Sequence, residues 1–395
     1  MKTNKYAVEG QLFVSYVLFA MCWAGGSAFI PQIMREMGIH DLAAGSHISN
    51  AVAAAKLLGS FIAAAILSRL LARKSIALAM GLMAIGILTP FIHNYPLLLL
   101  VRFLMGLGGA LLVVYFAPIV MLWFKPRELA LVNGINSGAF NIGTAIVLFG
   151  LPIMQHWFGG WQNTLLAISL GSVLCFVLWL AFGAEGVVAQ QHAGPRQTLR
   201  QGLAEPFNWL LAFTYCGTLS FYVMMFTFYA NAGIAEAKFI TLGGLGGTIA
   251  GTWLTKRTQR RLIVLRVSGL FQLLAIIGLH AQAWHWTENG NLITAAALAA
   301  GFFIYLPMPS LITLAQEQPG MTPDKVSVTF SLFWFLSYLA ATIAPYIFGL
   351  LVDAQGGDYS LAMAFATLAS STFLIGSLLL REKREPAARQ AAQSA

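Results

Sequence analysis

The sequence predicts an all-α membrane protein in which twelve transmembrane helices form two six-helix bundles related by a pseudo-two-fold axis. Three observations predict it. The chain is 58% hydrophobic and only 9% charged, far from the composition of water-soluble domains. Its apolar runs are about 18 to 25 residues long, the length a helix needs to cross the hydrocarbon layer. Its 23 Lys and Arg residues cluster in alternate polar breaks between those runs.

Taken in order, the spans are expected near 11–33, 47–69, 76–93, 96–124, 129–153, 161–184, 207–229, 237–255, 262–284, 291–316, 326–352 and 359–380. The first follows MKTNKYAVEG and is too long an apolar run for a cleavable leader, with no clear small-residue cleavage site. The second ends in the basic segment LSRLLARKSIAL, which leads into the third. The fourth carries Arg102, and the fifth closes on Gly159 and Gly160. The eighth contains TLGGLGGTIAG, whose glycines lie inside a helix and therefore favour close packing over phosphate cradling. In the tenth, the prolines of YLPMPS should bend or unwind the helix. The longest break, EGVVAQQHAGPRQTLRQGLAEP, divides the chain into a first bundle (1–184), a linker (185–206), a second bundle (207–380) and a tail (381–395). The halves echo one another, LSRLLARKSIAL at 67–78 answering LTKRTQRRLIVL at 254–265, as paired-bundle transporters do.

Eighteen of the Lys and Arg residues lie on one side of these spans, in alternate loops and both tails. The positive-inside rule makes that side cytoplasmic, so the net charge of +9 reports topology and calls for no nucleic-acid partner. Cys22, Cys175 and Cys216 fall within spans and form no disulfide framework. The seven histidines show no metal-ligand spacing, although a histidine on the outer side, such as His280, could handle a proton.

Several segments resemble the major facilitator superfamily, and the resemblance covers nearly the whole chain. AILSRLLARKSIAL (65–78) is similar to that superfamily's loop between spans two and three, with Arg73 and Lys74 in its basic positions. Arg69 stands where the family usually has aspartate, and Lys256 takes the acidic position of the second copy. RFLMGLGGA (102–110) resembles the fourth-span motif through Arg102, Gly106 and Gly109. NGINSGAFNIGTAIVLFGLPI (133–153), with Gly138 and Gly143, is similar to the fifth span of nitrate and nitrite permeases and lacks the Gly-Pro of drug and proton antiporters. The segment 337–363 resembles the eleventh span of cyanate and nitroimidazole permease-like members. The resemblance implies a secondary transporter with alternating access. It also implies gating roles for Arg69, Arg73, Lys74, Gly106, Gly109, Gly138, Gly143, Lys256, Arg260 and Arg261.

Lys56 is the candidate that the residues themselves single out. On a helical wheel it shares a face with Ala53, Gly59, Ser60 and Ala63, while Leu58, Phe61 and Ile62 lie opposite. Small faces meet other helices and bulky ones meet lipid, so the ammonium should point into the protein. The competing fate is snorkelling to the outer interface. Arg102 likewise shares a face with Gly106, Gly109 and Val113, and either handles conformation and protons or bonds to backbone carbonyls or an acid. Every Asp and Glu falls in a tail, a loop or a span end, so no buried carboxylate is expected. A buried cation lacking one is costly, and an anionic solute would offset that cost.

Trp23, Tyr115, Tyr222, Phe226 and Tyr305 should line the solute path, and Asn141 could supply a hydrogen bond. The expected protein is a monomeric, multi-pass permease of a bacterial inner membrane with both termini cytoplasmic. It would move a small anion, with or without a coupling proton. It needs no cofactor or metal and is not an enzyme, since no polar catalytic cluster is found. The rival reading is an efflux pump for amphipathic, drug-like compounds.

Overall fold

The computed structural model describes residues 4–39, 42–185, 199–229 and 232–381; the side chains of 42–46, Leu148, Leu199 and Phe226 lie outside that description. Every expected span is helical. The first half runs α1 (Lys5–Ala28), α2 (Ile30–Glu36), α3 (Leu42–Ala84), α4 (Tyr95–Trp123), α5 (Pro126–Phe158) and α6 (Trp161–Phe182). The second runs α7 (Leu199–Ala204), α8 (Pro206–Phe228), α9 (Phe239–Arg257), α10 (Arg261–His280), α11 (Gly290–Tyr305), α12 (Met308–Gln316), α13 (Pro323–Ala354), α14 (Ser360–Ser370) and α15 (Thr372–Leu379). By length and composition, eight described helices can cross a membrane, or nine if the two arms of α5, bent by 58°, count as one.

Local chemistry explains the boundaries. Pro126, Pro206 and Pro323 open α5, α8 and α13 at the one helical position where a missing N–H costs nothing. The side chains of Asn94, Asn289 and Thr322 accept backbone N–H groups at the starts of α4, α11 and α13. Gly159 ends α5 in the left-handed region, at φ 75°. Span two and most of span three lie within α3, which breaks at Leu71 (φ 62°, ψ 173°) inside the basic loop segment, and span three continues as a 3-10 helix over Ile85–Phe91. Span ten divides between α11 and α12 at Leu306 and Pro307, as its prolines require. Several boundaries differ from expectation, among them the following two. The first helix starts at Lys5, six residues before 11, capped by the Asn4 side chain, and the last span is broken at Ser371.

The two halves meet unevenly. At the end bearing the basic loops they share one core, in which Ala117, Ile119 and Leu122 of the first half join Leu311, Leu314, Ala315, Val326 and Phe330 of the second. At the opposite end the cores are separate, one around Phe29, Ile33, Ile48 and Leu165 and the other around Tyr229, Ile276, Ile293 and Phe348. The molecule is therefore closed at its basic end. Its outward helix faces expose Leu170, Leu174, Ile249 and Leu274, the surface of helices bathed in lipid.

Candidate substrate site

Lys56 points inward and is 2% exposed. Small residues make this possible. A Cβ at Gly59 would lie 2.7 Å from the Ala110 Cβ, and one at Gly106 would lie 2.9 Å from the Val52 Cα, so α3 and α4 pack almost backbone to backbone. Leu58 and Phe61 turn to the exposed face. Inside, the Lys56 Nζ is enclosed by aromatic rings, at 4.1 Å from the centroid of Trp23, 4.8 Å from Phe140, 4.9 Å from Tyr338 and 5.4 Å from Phe19. Ring faces attract a cation, so the cage offsets part of the cost of burying it. Among the described residues no carboxylate pairs with it; the ion pairs join Lys5 to Glu128, His93 to Glu36 and Arg261 to Glu317. Phe19, Trp23 and Phe140 come from the first half and Tyr338 from the second, so the cage exists only when the halves are together.

Polar groups continue outward from this cage. The Tyr338 hydroxyl adjoins that of Tyr16, and the Tyr338 ring stacks on Trp334 at 5.5 Å. Trp334 meets Tyr215 edge to face. Across the interface between halves, the Asn141 Nδ2 donates to the Thr241 carbonyl at 3.2 Å, while its Oδ1 has no donor. Tyr222 and Tyr305 pack edge to face at 5.9 Å beside this pair, with the Tyr222 hydroxyl near Tyr305 and Thr241. Trp23, Asn141, Tyr222 and Tyr305 are thus brought to the meeting of the halves. Tyr115 is not: it is fully buried in the first half's core with its hydroxyl toward Ser75. The Phe226 side chain lies outside the described residues.

Arg102 has the second of its two sequence-stated fates. Its guanidinium donates to three backbone carbonyls, Cys22 at 3.0 Å, Trp23 at 3.3 Å and Ile48 at 3.4 Å. Each of its three nitrogens donates once, and Gly26 leaves room for it. It fixes α1 against α3 and α4 and does not reach the cage.

The expected gating charges do not join the halves. The Arg73 guanidinium donates to the Leu180 carbonyl within the first half, where its backbone N–H also donates to Glu185. Arg261 forks onto Glu317 and holds the Thr255 and Thr258 carbonyls within the second. Arg69, Lys74, Lys256 and Arg260 are exposed. Among the described residues, the hydrogen bonds that cross are neutral. The Asn133 Nδ2 donates to the Thr313 Oγ1 at 3.0 Å and the Gln316 Oε1 at 2.6 Å, and the Gln316 Nε2 donates to the Ala117 carbonyl at 2.9 Å. The Ala64 N–H donates to the Ser331 Oγ. Gly134 and Gly138 let α5 press against Thr252 and Thr248 of α9, whereas Gly109 and Gly143 serve packing within the first half, against Phe19 and Val17.

One further expectation is corrected. Glu9 is a buried carboxylate, 7% exposed, because α1 begins earlier than expected and carries it a full turn into the bundle. His280, at the end of α10 opposite the basic loops, is fully buried, with its Nε2 2.6 Å from the Tyr229 hydroxyl and its Nδ1 2.7 Å from the Thr367 hydroxyl. No cluster of metal-ligating side chains occurs among the described residues.

A bundle of paired helical halves with a polar, ring-lined meeting surface is the architecture of a secondary transporter. The Major Facilitator Superfamily family model matches residues 12–345, and the chain belongs to that superfamily. It is accordingly a multi-pass membrane transporter and not an enzyme. The hexuronate transporter of Bacillus subtilis is 25% identical, over 69% of this chain and 71% of that one. The nitrate/nitrite transporter NrtP of Nostoc punctiforme is 25% identical over 44% of this chain and 35% of its own length. Among solved structures, FucP, the E. coli fucose:proton symporter, in the outward conformation superposes with a TM-score of 0.72 at 16% identity. That match covers 96% of this chain and 100% of FucP, and it shows the fold.

Proposed function

We propose that this transporter moves a small, singly charged organic or inorganic anion by alternating access between the halves 1–184 and 207–380, with Lys56 as the charge that receives it. The observation that carries the reading is the Lys56 ammonium, buried among four rings with no described carboxylate against it. A lone buried charge costs several kcal/mol, which a bound anion offsets. One lysine suits one negative charge. The phenols of Tyr16 and Tyr338 beside it suit a cargo that carries hydroxyl or oxo groups. The Bacillus hexuronate transporter and the Nostoc nitrate/nitrite transporter, both carriers of anions, support the same class. By the positive-inside rule the basic end, closed here, faces the cytoplasm of a bacterial inner membrane.

The test is thermal stability of the purified protein against a panel containing glucuronate, nitrate, acetate and a lipophilic cation. An anion should raise the melting temperature of the wild type, by the linkage of binding to folding, and the rise should vanish in Lys56→Ala. An efflux pump for amphipathic drugs would instead respond to the lipophilic cation. That result, or an anion response that survives in Lys56→Ala, overturns the assignment.

A further inference from the structure

The polar stripe on α1 does not stop at the cage. Glu9, Tyr16 and Trp23 recur every seven residues and so share one face of the helix. Tyr16 and Trp23 both pack on Phe140 of α5, at 6.2 and 5.5 Å. Asn136 lies one turn from Phe140 toward the basic end, and Glu9 lies roughly 10 Å along the axis from Tyr16 in the same direction. Glu9 is 7% and Asn136 6% exposed. The Glu9 Oε1 has no hydrogen-bond partner, and Asn136, whose amide atoms make no other bond, is the polar group beside the carboxyl.

Among the described residues, no cation holds Glu9 in its ionised form. On α1 itself, Lys5 is committed to Glu128 at 2.6 Å. The helices packed against α1 are α2 to α6. On α3 they bring Lys56, which is caged, and Arg69, Arg73 and Lys74 at the surface; on α4 they bring Arg102, spent on carbonyls, and Tyr115 beside Ser75. On α5 are Arg127, the paired Glu128 and His156; on α2, Arg35 and Glu36 at the far end; and on α6 Cys175, with no charged residue. Asn136 suits either state of the carboxyl, because its amide N–H donates to a carboxylate and its carbonyl accepts from a carboxylic acid. A lysine or arginine there would pin the charge.

We infer that Glu9, facing Asn136, is a proton-binding site whose occupancy favours the state closed at the basic end. The step is simple: the carboxylate takes one proton from water at the basic end, becomes a neutral acid and can then be enclosed. Ionised, it resists enclosure, because a buried charge without a cation is costly. Closure thus binds a proton and opening releases it. The sign follows: the closed state is favoured below the range in which the carboxyl titrates and is lost as pH rises through it.

Spin labels at Arg127→Cys and Lys325→Cys, exposed at the basic ends of α5 and α13, report the distance between halves for the full chain in lipid nanodiscs. The background replaces the native cysteines. From pH 8.5 to 5.5 the ratio of closed to open populations should rise by up to about tenfold per unit within the titrating window. Glu9→Gln should hold the low-pH ratio at every pH, and Glu9→Asp should restore a pH dependence. A flat ratio in the wild type, or a Glu9→Gln protein that responds to pH as the wild type does, overturns the inference. Should Glu9→Gln fail to fold, Asn136→Leu decides. Loss of the amide donor should move the midpoint to higher pH, and an unmoved midpoint overturns the inference.

Discussion

Two cations lie buried in the first half, and they do opposite things with their hydrogen-bonding capacity. Arg102 spends its guanidinium on the carbonyls of Cys22, Trp23 and Ile48. Lys56 presents its ammonium to the faces of Phe19, Trp23, Phe140 and Tyr338, which attract charge but accept no conventional hydrogen bond. A saturated cation is a structural rivet. An unsaturated one has donors to give. Trp23 links the two, since its carbonyl is held by Arg102 and its ring stands nearest to Lys56. The arginine therefore shapes the cage without entering it.

The comparison breaks most readily at Arg102. Arg102→Met removes three hydrogen bonds from a charged donor to buried carbonyls, each worth roughly 1.5–3 kcal/mol. A loss of about 3–5 kcal/mol in unfolding free energy is expected, read as a fall in melting temperature in detergent. Arg102→Lys should rescue little of it, because an ammonium cannot span acceptors contributed by two helices. A melting temperature equal to that of the wild type would remove the distinction between the two cations.

Lys56→Met tests the other side with the opposite sign. Removing an unpaired buried charge and filling its place with an apolar chain of similar length should leave unliganded stability unchanged or raise it by up to about 2 kcal/mol. If the variant were instead destabilised as strongly as Arg102→Met, the lysine would be structural and the anion site would lose its basis.

The spans and the inward face of Lys56 are legible in the sequence because both are local: apolar length sets a span, and a stripe of small residues sets a packed face. The fate of Arg102 is not, because its acceptors are backbone carbonyls delivered by α1 and α3, and a carbonyl leaves no mark on sequence. Glu9 escapes notice because a charge near a terminus looks like tail until the helix is seen to start at Lys5. The basic loop residues mislead for a different reason. They mark the side of the membrane on which each loop stays, and in the structure Arg73 and Arg261 are consumed within their own halves. Asn133 and Gln316, which do join the halves, are neutral amides 183 residues apart, with no charge or period to connect them.

That amide pair extends the comparison from single cations to the gate, and it carries the smallest of these effects. Gln316 accepts from Asn133 and donates to Ala117, so both ends of its amide are engaged in the closed state, as the nitrogens of Arg102 are. Opening the basic end separates these groups and lets water take their places, so each bond contributes only about 0.5–1.5 kcal/mol to closure. Gln316→Leu removes both bonds and leaves the Asn133 amide with Thr313 alone. With the same pair of spin labels, the closed-to-open ratio at fixed pH should fall by at least about fivefold, the low end for two such bonds. Because the latch is uncharged, that ratio should also be nearly indifferent to salt between 0.05 and 0.5 M in the wild type, at ionic strengths chosen to span the range where exposed ion pairs are screened. A steep salt dependence, with Gln316→Leu behaving as the wild type, would return the gate to the surface charges.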